Sequence, residues 1–400
     1  MKVASNESVS GPCTGIKVLD FTTMVSGPLC SQNLGDLGAD VIKVEPPIGD
    51  TSRYLGGVER EGLSGFFAQL NRNKRAMVID LGKPDGQALA REIAQGVDVV
   101  IENFRPGVAE RLGIDYERLK QDNPGLVYVS ISGFGQDGPY AGFPTYDLVI
   151  QGLSGVMPIQ GSDEQPKMMQ TVVVDKCVAI TAASATLAAL LARERNNGLG
   201  QHVSVPMLDA YAQLMLTDLM TTQSFQPADA PPNPTIDLYR TWKTQDGHVV
   251  GIVIEDHQFS GLCRVLDCEQ LTRDERFVDI GARFANLPAL MALLEVEIEK
   301  WPTEPLIAAL READVPFAPV YSVADFLADP QVAHNGIVLD ADDPQGGMAR
   351  YISHPSHYEK TPAQLYRHPP RLAEHSAEIL AQFGIDSGRI ASLVDAGVIR

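Results

Sequence analysis

Four hundred residues carry a formal net charge of −19, with 44% hydrophobic and 21% charged side chains. That charge repels polyanions, so neither nucleic acid nor an anionic membrane is expected as a partner, while a small anion can still be held by a local basic patch. The length suits one large or two ordinary domains. The five cysteines, Cys13, Cys30, Cys177, Cys263 and Cys268, form an odd, scattered set that reads as reduced thiols in a cytoplasmic protein. Cys263 and Cys268 lack a second ligand pair at zinc spacing, and His354 and His357 flank a turn-like Pro-Ser, so no metal is expected. Nothing at the start resembles a targeting leader, and no uninterrupted apolar run looks long enough for a membrane span.

Along the first half, strand and helix patterns alternate. Gly15 to Phe21 reads as a strand, with a helix from about Gly27 and Pro28, and Asp40 to Glu45 is the next strand. A third strand begins at Ala76 and precedes a helix from Pro84 to Ala94. VDVVIEN follows, then helical turns near Val108 to Leu112 and Tyr116 to Lys120, then the strand LVYVSIS. Repeated β-α-β units imply a parallel sheet with helices on both faces. An amphipathic stretch from Pro206 to Phe225 leads to a Pro-rich linker, Gln226 to Asp237. Beyond it, LYRTWKTQDGHVVGIVIE reads as a hairpin turning at Asp246 and Gly247. Helices are expected near Gln258 to Leu266, Pro288 to Trp301 and Glu304 to Ala313. A loop-rich stretch after Val320 ends in helices near Ser376 to Phe383 and Ser387 to Val394. The predicted organisation is a Rossmann-like α/β domain over residues 1–225, a smaller α+β domain over 226–325, and a segment 326–400 that returns to the first.

One carboxylate stands out. Thr171 to Val174 is wholly β-branched and reads as a buried strand, and the Ala/Leu-rich run from Ala179 to Arg195 reads as a helix closed by Asn196, Asn197 and Gly198. Asp175 falls at that junction, where open α/β folds bind ligands and where the helix dipole favours an anion. On this segment alone the favoured reading of Asp175 is an N-cap, because Asp is among the preferred capping residues. The glycines Gly133, Gly135 and Gly138 match a dinucleotide fingerprint, but Pro139, Gly142 and Pro144 follow at once, so no helix opens there to face a pyrophosphate. Glu45 ends a strand where such folds place an acid for ribose, which by itself does not make a dehydrogenase.

Several segments together resemble the class III coenzyme A-transferase family, which includes formyl-CoA transferase and carnitine CoA-transferase. They are DFTTMVSGP, LGDLGADVIKVEPPIGDTSR, LNRNKRAMVIDL, VDVVIENFRPGVAERLG, NPGLVYVSISGFGQDGPY, YDLVIQGLSG and the Asp175 segment with GLGQHVSV, then YRTWKTQDGHV and ADVPFAPVYSVADFLADPQV. The resemblance implies Asp175 as nucleophile, an interlocked homodimer, and acyl-CoA and a small carboxylic acid as substrates, with no tightly bound cofactor. It places coenzyme A against Val25 and Ser26, against Asn103, Phe104 and Arg111, and against Phe143 and Tyr146. Without it, Phe104 is a core aromatic and Arg111 a solvated charge. The basic run Asn71 to Arg75 supports the coenzyme's phosphates or forms surface salt bridges. Two departures, Val25 for a polar residue and no glycine run between Asn233 and Gln258, argue against formate or oxalate. Pro46 stands where that branch has an Arg, with Arg53 as a substitute. The resemblance extends to α-methylacyl-CoA racemase, which needs a His at Tyr146, and a phenol titrating near ~10 is a poor base at neutral pH. Transfer from a donor such as succinyl-CoA or acetyl-CoA is therefore expected over racemisation, with a catalytically silent coenzyme A-binding protein as the remaining alternative.

Overall fold

In the computed structural model, which describes residues 10–57, 59–60, 62–225, 238–343 and 346–400, the valine- and isoleucine-rich runs of the first half become six strands. They are β1 (Lys17–Asp20), β2 (Asp40–Glu45), β3 (Lys74–Val78), β4 (Val99–Glu102), β5 (Val127–Ser132) and β6 (His202–Pro206). Their order is β3-β2-β1-β4-β5-β6 and every neighbouring pair is parallel. This is the doubly wound order, in which the winding reverses between β1 and β4 and opens a crevice at their carboxyl ends. The connecting helices are α1 (Ser26–Asp36), α2 (Pro84–Ala94), α3 (Val108–Arg111), α4 (Tyr116–Asp122), α5 (Asp147–Leu153), α6 (Val173–Arg195) and α7 (Met207–Leu219). Helices α1 and α6 pack together, α6 also against β5 and β6. Opposite, Leu89 and Ile93 of α2 and Leu119 of α4 join Leu19, Ile42, Val100 and Tyr128 in one apolar cluster. Helices Ser376–Gln382 and Ser387–Asp395 add Ile379, Leu380 and Leu393 to it.

The expected strand Thr171 to Val174 does not form: α6 begins at Val173. Val174 is buried in phase with Cys177, Val178 and Ala182, so its side chain continues the apolar face of the helix, and tertiary packing overrides β propensity. By length and composition alone α6 is apolar enough to cross a membrane, a test that the core helix of a soluble protein also passes. No helix opens at Gly133 to Gly138; the next one is α5.

The chain divides into two compact units, one running up to Thr217 and including His334–Arg400, the other Asp218–Ala333. In the second, β7 (Trp242–Lys243) and β8 (His248–Gly251) form the expected hairpin, and β9 (Phe317–Pro319) pairs antiparallel to β8. Trp242, Val249, Leu262, Leu294 and Leu306 build its separate core. The Pro-rich linker Gln226 to Asp237 lies outside the described residues. The stretch after Val320 is more regular than expected, because β10 (Val338–Asp343) pairs antiparallel with β11 (Gly347–Ile352). Its first strand, VLDADD, is acidic with little apolar alternation, so the strand signal is weak; Arg350 pairs with Asp340 and Arg371 with Asp343.

The basic run is neither a phosphate cradle nor a surface feature. Asn71, Arg72, Asn73, Lys74 and Arg75 are all buried. Arg72 grips Asp36 with two hydrogen bonds of 2.9 and 2.5 Å, and Arg75 pairs with Asp40 and Glu378. Lys74 uses all three donors, on Asp20 (3.1 Å), Pro28 O (2.8 Å) and Asn71 Oδ1 (2.7 Å). Arg53 is also committed, to both oxygens of Glu45 at 2.6 and 2.7 Å, which removes Glu45 as a ribose ligand. Breaking a fully buried pair strands the remaining charge. Lys74→Met is accordingly expected to destabilise the protein by about 3–5 kcal/mol in denaturant unfolding, and a loss within experimental error would show that Asp20 does not depend on it.

Candidate active site

The turn between β1 and α1 is pinned at nearly every polar backbone group. Asp20 accepts from the Thr22 N–H at 2.9 Å and from the Thr22 and Ser31 hydroxyls, each at 2.5 Å. Lys43 donates to Thr22 O at 2.9 Å and pairs with Asp50 at 2.9 Å, both ions fully buried. Asn103, just past β4, accepts from the Thr23 N–H at 3.0 Å and donates to Thr23 O at 2.8 Å. Met24 is held at φ +70° with its N–H on Asp50. Gly27 is required here, since a Cβ would lie 2.2 Å from Thr22 Cβ. This scaffold buries Val25 as the residue preceding α1 and Ser26 as its first residue.

Across from Ser26 stands the amino end of α6. Its N-cap is Val172, which has no capping side chain, and Asp175 is the third helical residue, so the simple N-cap reading of Asp175 fails. The cap comes from another helix: Asp147 Oδ2 accepts the Asp175 N–H at 3.1 Å. Asp147 Oδ1 accepts from Gln151 Nε2 at 2.6 Å, and Gln151 Oε1 takes the Met169 N–H at 3.0 Å. Asp147 is itself 3% exposed, so a buried carboxylate lies beside the Asp175 carboxyl.

Burial, and then the Asp147 charge, push the Asp175 carboxyl up to about 6, against hydrogen bonds from the Ser26 hydroxyl and N–H that hold it down. At pH 7 the group is still ionised by roughly ten to one, yet it is more basic than an ordinary carboxylate. A carboxylate of raised basicity facing fixed N–H and O–H donors is equipped for covalent or proton-transfer chemistry.

The other expected residues are distributed as follows. Asn103 spends its amide on Thr23 and shapes the turn. Phe104 packs partly buried against the apolar cluster, with its N–H on Glu102 at 2.7 Å. Arg111 ends α3, exposed, with no ion pair among the described residues. Phe143 is 55% exposed and stacks on Tyr140 at 5.2 Å. Tyr146 precedes α5 with its ring 68% exposed. What sequence reasoning missed is that Ser26 addresses the carboxylate itself and that Lys43, Asp50 and Asn103 hold Ser26 in place. The legible signal was a lysine in the middle of the apolar strand DVIKVE, which cannot be buried without a partner.

A sequence model described as CoA-transferase family III matches residues 14–376. A succinate–glutarate CoA-transferase from Agrobacterium fabrum is 37% identical over 385 residues, covering 93% of this chain and 95% of its own. An acetyl-CoA:oxalate CoA-transferase from Acetobacter aceti is 34% identical over 381 residues, covering 93% of this chain and 96% of its own. Among solved structures, a CaiB/BaiF family protein from Brucella suis matches with a TM-score of 0.82 and 36% identity, over 94% of this chain and 100% of its own.

The raised titration of Asp175 has a stability consequence. Because the folded state holds the proton more tightly than the unfolded chain, Asp175 favours folding below about pH 4 and loses that contribution as pH rises through about 6. Asp175→Asn removes the loss. Its stability relative to wild type is expected to grow between pH 4 and pH 7.5, by up to about 3 kcal/mol, in denaturant unfolding at both pH values; a difference independent of pH would contradict the assignment.

Proposed function

The chain belongs to CoA-transferase family III, and on that premise we propose that it moves coenzyme A from succinyl-CoA or acetyl-CoA to a small dicarboxylic acid, with Asp175 as nucleophile. The observation that carries the reading is the Asp175 carboxyl itself, raised to about 6 and hydrogen-bonded by Ser26 beyond the carboxyl end of β1. Asp175 attacks the donor thioester carbonyl; the C–S bond breaks, leaving an aspartyl mixed anhydride and coenzyme A thiolate. The thiolate attacks the aspartyl carbonyl, releases the donor acid as a carboxylate and forms an aspartyl thioester. The acceptor carboxylate attacks that thioester, giving a new anhydride, and the thiolate then takes the acceptor's acyl group and frees Asp175. Each step exchanges one activated acyl bond for another, so no net proton and no oxidant is consumed. Ser26 N–H and hydroxyl, already directed at the carboxyl, stabilise the oxyanions that form on it.

Coenzyme A lies against Val25 and Ser26 on one side of the crevice and the Asn103–Arg111 segment on the other, with Phe143 and Tyr146 nearby. Arg111 is exposed and unpaired among the described residues, so it is available to a phosphate, whereas the buried basic run is not. Tyr146 in place of a histidine weighs against racemisation. The dicarboxylate preference rests on the relative named for succinate and glutarate; the one named for oxalate keeps that acid among the acceptors to be assayed. We further propose self-association, as an interlocked dimer in the cytoplasm. It is supported by the exposed apolar stripe Ile180, Leu187 and Leu191 on α6 and Leu214 on α7, a surface of the kind that marks an interface.

Asp175→Ser is expected to remain folded while losing exchange with succinate, glutarate and oxalate, because a serine ester is resolved poorly by thiolate. Wild-type enzyme given acyl-CoA and then hydroxylamine is expected to be inactivated with the label on Asp175, and its kcat/KM to fall below about pH 6. Full exchange by the serine variant, labelling elsewhere, or α-deuteration of a 2-methylacyl-CoA at turnover rates in deuterium oxide ends this reading. On the second point, sedimentation over a wide concentration range is expected to give a dimer, and a species at the chain mass of 43.3 kDa would refute it.

A further inference from the structure

In the second compact unit, helix α8 (Asp256–Val265) stops in a tight left-handed turn. Asp267 takes φ +55° there and its N–H bonds to Arg264 O at 3.3 Å, while the Cys268 N–H reaches back to Cys263 O at 2.8 Å. This pair of backbone bonds sets the third-last helical residue against the second residue beyond the cap. An apolar contact commonly joins those two places; here they are held by Cys263 and Cys268.

Both thiols are free and buried, at 0% and 3% exposure. They meet across the turn: the Cys263 S–H supports a thiolate on Cys268, which lowers the Cys268 thiol against its burial and raises that of Cys263. The remaining cysteines are built differently. Burial pushes the Cys13 thiol up to about 11 and the Cys30 thiol up to about 12. Cys177 is raised by burial too, with its Sγ on Ala210 O at 3.3 Å. The thiolate is the nucleophile of sulfur oxidation, and a second thiol in contact with it turns the first oxidation product into a disulfide.

We propose that Cys263 and Cys268 are a reversible modification site, a pair that a small peroxide oxidises to a disulfide. The Cys268 thiolate attacks one oxygen of hydrogen peroxide; the O–O bond breaks, the sulfur becomes a sulfenic acid and hydroxide leaves. The Cys263 sulfur then attacks the sulfenic sulfur, the S–O bond breaks, and the Cys263 proton departs with the hydroxyl as water. The hydroxide of the first step takes up the proton that Cys268 had released. Two thiols and one peroxide thus give one disulfide and two waters. Burial restricts the oxidant to a small neutral molecule, and the 2.8 Å backbone bond already ties the two residues together, so the link adds little loop closure.

The test treats native full-length protein with hydrogen peroxide, alkylates the remaining thiols in denaturant and digests with trypsin without reductant. Cleavage after Arg264 separates the two cysteines, so the disulfide is read by mass spectrometry as a linked pair of peptides, residues 244–264 and 265–273. That pair is expected as the main product, with two of the five thiols lost and recovered by dithiothreitol, and with Cys13, Cys30 and Cys177 alkylated as in untreated protein. Cys263→Ala is expected to leave on Cys268 a sulfenic acid that dimedone labels, and Cys268→Ala to leave Cys263 a thiol. Retention of all five thiols, oxidation of Cys13, Cys30 or Cys177 ahead of the pair, or dimedone labelling of Cys263 in the Cys268→Ala variant overturns the proposal.

Discussion

Asp20 is the point on which the rest of the site hangs. It ends β1, it is fully buried, and it binds Thr22, Ser31 and Lys74 at once. Burial by itself raises such a carboxyl; the Lys74 and Lys43 ammonium groups and the two hydroxyls more than offset that and hold it below its ordinary range. The consequence is geometric. With Asp20 ionised and saturated, the chain turns sharply through Thr22, and Lys43 and Asn103 fix the carbonyls and N–H that the turn exposes. Ser26 is thereby delivered to Asp175 without a flexible linkage, which is the preorganisation that electrostatic catalysis requires.

Two carboxylates then perform opposed tasks within a few ångströms. Asp147 satisfies the backbone of α6 by capping it from outside, a stabilising role. The same charge makes ionised Asp175 less comfortable, and burial adds to the strain. A fold selected only for stability would not pair them. Such a locally unfavourable arrangement, supported by a rigid surround, is common where a group must react.

Charge is distributed in the same spirit. The net −19 sits over an interior in which Lys43, Arg53, Arg72, Lys74 and Arg75 are each paired with a carboxylate. Those cations are committed inside the fold, whereas Arg111 at the end of α3 is exposed. Basic character read along a sequence is thus no guide to basic character at a surface, because a strand's burial depends on the helices that cover it.

The elements that local chemistry dictates were legible. Asp40 to Glu45 was expected as a strand and forms one, and the helix expected from Pro84 to Ala94 has those bounds, since proline is preorganised for a first helical turn. The alternation of strands and helices sufficed for a parallel sheet, and Asp175 could be singled out as unusual. Four valine and threonine residues before it could not be placed, because whether Val174 belongs to a strand or a helix depends on which face Ala182 buries. The acidic strand Val338–Asp343 was invisible because it lacks a run of apolar alternation, and the partner strand it pairs with is met only in the folded chain. The sequence by itself determined the strands and helices of the first half as far as Ser132, whose signals lie within a few residues of one another. Only the tertiary structure decided that Asp175 faces Ser26 rather than capping its own helix, and that its carboxyl titrates near 6. Those properties come from Asp147, 28 residues away, and from the Asp20 turn, and a long-range field and hydrogen-bond partners exist only once the chain is folded.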